Sequence, residues 1–136
     1  MKQFTFLVLA GALGALIAHA QSNKDGHDSA WLTPLVGTWD GEPGGTTTVR
    51  AQGQHWVVAE STSDRGRLSL GYDAQAKAFR GTRVDPGSGQ LWVYRGELNA
   101  ARDTLTLESV DAGAARSREV IRVSGNDAFT VTRSAR

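Results

Sequence analysis

Leu91-Trp92-Val93-Tyr94-Arg95-Gly96-Glu97-Leu98-Asn99-Ala100-Ala101-Arg102-Asp103-Thr104-Leu105-Thr106-Leu107-Glu108-Ser109 decides the fold. Large apolar residues alternate with polar or small ones on both sides of an Asn-Ala-Ala break. Trp92 and Tyr94 share one phase, and Leu105 and Leu107 share one face opposite Thr104, Thr106 and Glu108. A period of two places alternate side chains on opposite faces of a strand. The stretch therefore reads as a β-hairpin with one wet face and one buried face.

The same pattern extends in both directions. Alternating runs occupy residues 36–42, 46–52, 55–62, 67–72, 78–84, 91–98, 104–109, 118–123 and 129–133. Turn chemistry separates them at Pro43-Gly44-Gly45, Gln52-Gly53, Asp64-Arg65-Gly66, Asp85-Pro86-Gly87, Asn99-Ala100-Ala101 and Gly125-Asn126-Asp127. Glycine supplies positive φ without steric cost, and Asn and Asp tolerate it. Nine strands at this spacing predict an antiparallel up-and-down meander. A sheet of that many strands in so short a chain must curl, and closing it into a barrel removes its exposed edges. No window after Asp28 has sustained helical periodicity. Residues 31–36 can form one helical turn at most, because Pro34 disfavours helix at Thr33.

Alternation also assigns inward residues. Leu68, Leu70 and Tyr72 share a phase, as do Phe129, Val131 and Arg133, and Phe79, Gly81 and Arg83. Trp56, Val58 and Glu60 are read as a further inward set. Arg80 and Arg95 fall in the opposite phase and face solvent. The polar outer faces argue against an outer-membrane barrel, which needs an apolar outward band.

The first 20 residues read as an address. Met1-Lys2 is a short positive start, residues 4–17 are almost all apolar or small, and Ala18-His19-Ala20 is a small-x-small cleavage pattern. This is the layout of a secretory signal peptide. The apolar run, about 14 residues, falls short of the ~20 needed to cross a bilayer as a helix. The expected organisation is a leader over residues 1–20, a flexible N-terminus over 21–30 and a single β-barrel domain over 31–136. The expected location is periplasmic or secreted, with no integral membrane segment after cleavage.

Composition narrows the chemistry. The 136 residues include no cysteine, 15 basic and 14 acidic residues. A disulfide framework, a thiolate metal site and a lipid-modified cysteine are all excluded. Lys2 is the only charge in the first 20 residues, so 14 charges of each sign remain. A neutral domain with scattered basic residues has no general electrostatic attraction for nucleic acid. Metal ligation needs clustered side chains. Beyond the leader only His27 and His55 are present, so neither a metal nor a cofactor is expected. No Gly-x-Ser-x-Gly elbow occurs, and Ser88 sits at a hairpin tip. No catalytic residue is assigned from sequence motifs.

Leu35-Val36-Gly37-Thr38-Trp39-Asp40-Gly41-Glu42 resembles the Gly-x-Trp opening strand of the calycin superfamily, which includes lipocalins and fatty-acid-binding proteins. With Gly71-Tyr72-Asp73, Phe79-x-Gly81 and Leu105-Thr106-Leu107, the chain is similar to the bacterial domain of unknown function 1579 family over most of residues 31–134. The resemblance implies an all-β, antiparallel, calycin- or lipocalin-like barrel of about 8–10 strands with a lumen. Gly37 and Trp39 would close one end, and Arg133 in the last strand would pack over Trp39. Trp31 would cover the barrel bottom. No activity comes with the resemblance.

Three readings of function follow. In the first, the barrel binds a small, largely apolar ligand, with Trp56, Tyr72, Trp92 and Tyr94 as wall and Glu60 or Arg83 as polar anchor. The favoured alternative is that Glu60 and Arg83 form an internal structural ion pair, or stand at strand ends where they reach water, since buried charge is costly unless paired. In the second, a filled barrel binds a protein or an envelope polymer through the hairpins at residues 43–47 and 85–90. In the third, it is a small isomerase or hydrolase using Glu60 with an arginine; catalysis is the less favoured reading.

Overall fold

The computed structural model describes residues 3–6, 28–42, 44–63, 65–110, 116–125 and 128–135. Its strands are β1 (Gln3–Phe6), β2 (Gly37–Glu42), β3 (Thr46–Gln52), β4 (Trp56–Ser61), β5 (Arg67–Asp73), β6 (Ala78–Val84), β7 (Leu91–Leu98), β8 (Thr104–Ser109), β9 (Ser117–Ser124) and β10 (Ala128–Ala135). A 3-10 helix, Asp28–Leu35, precedes β2. From β2 to β10 every strand pairs antiparallel with the next, so the nine strands form an up-and-down curled sheet. The observed strand ends differ from the expected ones by two residues at most.

Two features were not legible in the pattern. The short β1 lies between the two edges of the sheet, pairing in parallel with β10 and with β2, and completes a closed ring. Gln3-Phe4-Thr5-Phe6 is rich in strand-favouring residues. These four residues also belong to the stretch read as a leader, so they carry two readings at once. Most of that leader, its cleavage pattern at 18–20, residues 21–27 of the expected flexible segment, and His27 lie outside the described residues. So do Pro43, Asp64, Asn126 and Asp127 of the expected turns.

The other feature is the eight-residue length of the 3-10 helix, where one turn was expected. Tertiary anchors override the local bias of Pro34. Leu32 and Leu35 are buried, Trp31 Nε1–H donates to the Arg102 carbonyl at 2.8 Å, and the Trp31 ring meets Phe79 edge-on at 6.1 Å. Arg102 also pairs with Asp28 at 2.6 Å. The helix thus caps the end of the barrel at which β2 begins. Gly37 follows it with φ of 145°, a conformation that side chains rarely adopt.

Trp39 seals this capped end from inside. It is buried, its Nε1–H donates to the Leu35 carbonyl at 2.7 Å, and its ring meets Phe129 edge-on at 4.4 Å. The expected partner was Arg133. Phe129 stands near the start of β10, whereas Arg133 lies four residues further along, roughly 13 Å at the strand rise, toward the other end.

The core is the inside of the ring: Val49, Val57, Leu68, Leu70, Phe79, Trp92, Tyr94, Leu105, Leu107, Ile121, Phe129 and Val131 are all buried. The inward phases expected for β5, β6, β7, β8 and β10 agree with this burial. The phase expected for β4 is inverted. Val57 and Ala59 stand opposite Leu70 and Leu68 of β5 and share their inward face. Trp56 is 37% exposed and Glu60 is exposed, both outside. Both phases of β4 carry apolar side chains, so alternation alone could not choose. The partner strand chooses: Trp56 lies opposite Gly71 and covers it so closely that a Cβ there would stand 2.0 Å from Trp56 Cδ2.

Candidate functional site

The strands position a polar cluster toward the end of the ring opposite the helix. Arg83 is second from the end of β6 and stands opposite Trp92 on β7. Tyr94 follows two residues later on the same inward face, while β9 contributes Ser117 and Glu119, and β10 contributes Arg133 opposite Glu119. Glu119 is fully buried, and Arg83, Tyr94 and Ser117 are nearly so.

Glu119 is the hub. Arg83 grips its carboxylate through two hydrogen bonds, Nε–H to Oε1 and Nη2–H to Oε2, the second at 3.1 Å. The planar fork of a guanidinium matches a carboxylate in this way, and charge-assisted bonds are the strong ones. The Tyr94 hydroxyl donates to Glu119 Oε1 at 3.2 Å and lies 2.9 Å from Ser117 Oγ. A carboxylate only accepts, so Tyr94 points its proton at Glu119 and takes one from Ser117. Ser117 is tied in turn by its backbone N–H, which donates to Ser109 Oγ at 2.9 Å. Burial, and after it the Glu119 charge, push the Tyr94 phenol up to about 12.

Arg133 stands differently. Its Nε is 3.8 Å from Glu119 Oε1, beyond hydrogen-bond range, and its side chain is 27% exposed. Among the described residues its guanidinium donates no hydrogen bond, and Glu119 is its ion-pair partner. The 85–90 hairpin closes the β6–β7 connection at this end. There Asp85 accepts from Gly87 N–H at 2.8 Å and from the Ser88 hydroxyl at 3.0 Å. Those bonds, with a smaller contribution from the Arg133 charge, hold the Asp85 carboxyl below the usual carboxylate range.

Behind the cluster lies a cavity of about 50 Å³. It runs from Leu35 at the capped end, between the walls formed by Val57 and Leu68 on one side and Ile121, Phe129 and Val131 on the other. Thr47, Ser61 and Gly66 border it toward the open end. Arg83 is the only charged side chain on its wall among the described residues. The volume is about a third of the ~150 Å³ of an engineered apolar cavity that takes up benzene. Side chains fill most of the lumen.

Of the residues expected to form a site, the structure brings together Arg83, Trp92 and Tyr94, and Arg133, expected over Trp39, joins them instead. The structure leaves three apart. Tyr72 is half-buried at the capped end, edge-on to Phe79 at 5.3 Å. Trp56 lies on the outer face, as does Glu60, which stands 3.8 Å from Arg67 rather than beside Arg83. Arg83 does sit in a buried ion pair, but with Glu119. Sequence reading missed Glu119 and Ser117, although a signal existed. In Ser117-Arg118-Glu119-Val120-Ile121-Arg122-Val123, the phase of Ile121 and Val123 contains both residues, while the other phase carries Arg118 and Arg122.

Among the described residues no group of three or more His, Asp or Glu side chains is placed to hold a metal ion. No helix among them is long and apolar enough to cross a membrane.

An up-and-down sheet of antiparallel strands, curled around an apolar core with a buried Arg–Glu pair near one end, defines the class as barrel-like all-β. Within that class the chain belongs to the family described as a protein of unknown function (DUF1579), which matches residues 24–136. No curated protein and no solved structure matches the chain.

Proposed function

We propose that this is an exported, calycin-like binding protein. Its barrel lumen takes up a small, largely apolar ligand bearing an anionic end. The observation that carries the reading is an apolar cavity with Arg83 on its wall and a second arginine, Arg133, paired with the same Glu119 carboxylate. Arg83 lines the cavity and is held in place by Glu119, and Arg133 stands beside them, ion-paired with the same carboxylate at 3.8 Å and 27% exposed. Two guanidinium groups flank the buried Glu119 carboxylate, with Asp85 only a weaker partner of Arg133, so the cluster favours an incoming anion, and burial strengthens that attraction relative to water. Preformed apolar pockets with a few convergent polar groups are the usual form of small-molecule sites. A cavity this small suits a tail of a few carbons. Export rests on the three-part pattern of residues 1–20, with cleavage after Ala20.

Native mass spectrometry on the protein isolated from its own cell envelope tests the reading. A small acidic adduct, absent from Arg133→Met protein, supports it. Bare protein from both preparations, with no shift on adding short carboxylates, contradicts it.

One observation favours the second reading, a barrel that binds a protein or polymer through its loops. Val84, Leu91 and Val110 are exposed at the end that carries the 43–47 and 85–90 hairpins. Capture of an envelope component that is lost on replacing the 85–90 hairpin, with carboxylate binding absent, would favour it. The enzymatic reading loses its expected carboxylate, because Glu60 lies on the outer face beside Arg67.

A further inference from the structure

We infer that the seam between β2 and β10 is an acceptor site for an extended peptide strand, and that residues 3–6 are its resident occupant. The inference is independent of the lumen ligand, and the vacating of the seam in the exported protein rests on the cleavage proposed above. Its basis is the pairing of β1. Every other neighbouring pair in the ring is antiparallel, but β1 runs parallel to both of its neighbours. The sheet from β2 to β10 has nine strands, an odd number, so its two edges run in the same direction. They cannot meet as the antiparallel pair that a tenth hairpin-linked strand would make. Without β1, two rows of main-chain N–H and C=O groups would face one another across roughly 10 Å, twice the spacing of paired strands. Unpaired buried backbone groups are costly, and an open edge is a template for another strand.

The occupant is short. Gln3, Phe4 and Thr5 pair with Asp40, Gly41 and Glu42, while Gln3 to Phe6 pair with Ala128 to Val131. Phe129 and Val131 of that edge also line the lumen cavity. A strand held only by two short parallel ladders is the most readily exchanged stave of the ring. If residues 1–20 leave as a leader, the seam is vacated. An extended segment of another polypeptide, with the alternating apolar and polar pattern of Gln3-Phe4-Thr5-Phe6, then fits it by main-chain pairing along both sides, the strand-addition mode of peptide recognition.

The test uses the full chain and amide hydrogen exchange resolved by residue. Thr5→Pro removes a donor and cannot sit in a strand paired on both sides. The expected result is exchange at least about ten-fold faster at amides in 39–42 and 129–132, with β5, β6 and β7 unchanged. Adding a synthetic peptide of residues 1–8 should restore the protection, and a scrambled peptide should not. Equal exchange in both proteins would show that residues 3–6 do not hold the seam. Faster exchange that the peptide fails to reverse would show that the seam does not accept a strand in trans. Either outcome overturns the inference.

Discussion

Glu119 shows how much one side chain can organise. Its carboxylate is fully enclosed, and it is tolerable there because Arg83 takes both oxygens and Tyr94 adds a third donor. Breaking a buried pair leaves an uncompensated charge, whereas replacing both partners by apolar side chains is often nearly neutral. Glu119→Ala should therefore cost about 3–5 kcal/mol in urea unfolding. Arg83→Met combined with Glu119→Leu should recover most of that loss. A double variant as unstable as the single one would show that the pair is more than compensated burial. Tyr94 adds a pH signature. Its phenol is raised in the folded state from 10.0 to about 12, so the folded protein holds that proton more tightly than the unfolded chain does. This contribution to stability is complete below pH 10.0 and is lost as pH climbs toward about 12. Denaturation at a series of alkaline pH values should show the fall, and Tyr94→Phe should remove its share. The polar cluster was half legible: Arg83, Tyr94 and Arg133 follow from alternation with Phe79, Trp92 and Phe129. Their meeting with Glu119 depends on the β9–β10 register, which no single strand displays.

At the level of the element, β4 carries the clearest lesson. Trp56-Val57-Val58-Ala59 is apolar in both phases, so the larger side chain, Trp56, drew the inward reading. Size misled, because a large aromatic can also serve outside by covering a glycine on the next strand. Gly71 is that glycine, and it admits no Cβ beneath the indole. Gly71→Ala should push the indole off its seat, shift tryptophan emission to the red and cost about 1–3 kcal/mol. Trp56→Val should make the same Gly71→Ala change cheaper, with a coupling of roughly 1 kcal/mol in a double-mutant cycle. Additive costs would mean that the two residues do not press on one another. The other strands were readable because their turns carry Gly, Asn and Asp and their faces differ in polarity. The 3-10 helix was read too short because its length is set by Leu32, Leu35 and Trp31 docking on the barrel, not by its own sequence.

For the whole molecule, nine of the ten strands follow from local pattern, and ring closure does not. Closure joins residues 3–6 to residues 128–131, a pairing across nearly the entire chain that alternation cannot announce. The lumen is likewise a sum over many side chains, so the expectation of a roomy pocket gave way to a cavity of about 50 Å³. That volume narrows the proposed ligand to one with a short apolar tail, and the proposed role of Arg83 and Arg133 is to select a negative charge on it. Calorimetric titration of the full chain with butyrate and with butanol measures this directly. Saturable binding of the carboxylate, at least about ten-fold (~1.4 kcal/mol) tighter than the alcohol and levelled by Arg133→Met, is the predicted result. Equal affinity for acid and alcohol, or no binding of either, would contradict it.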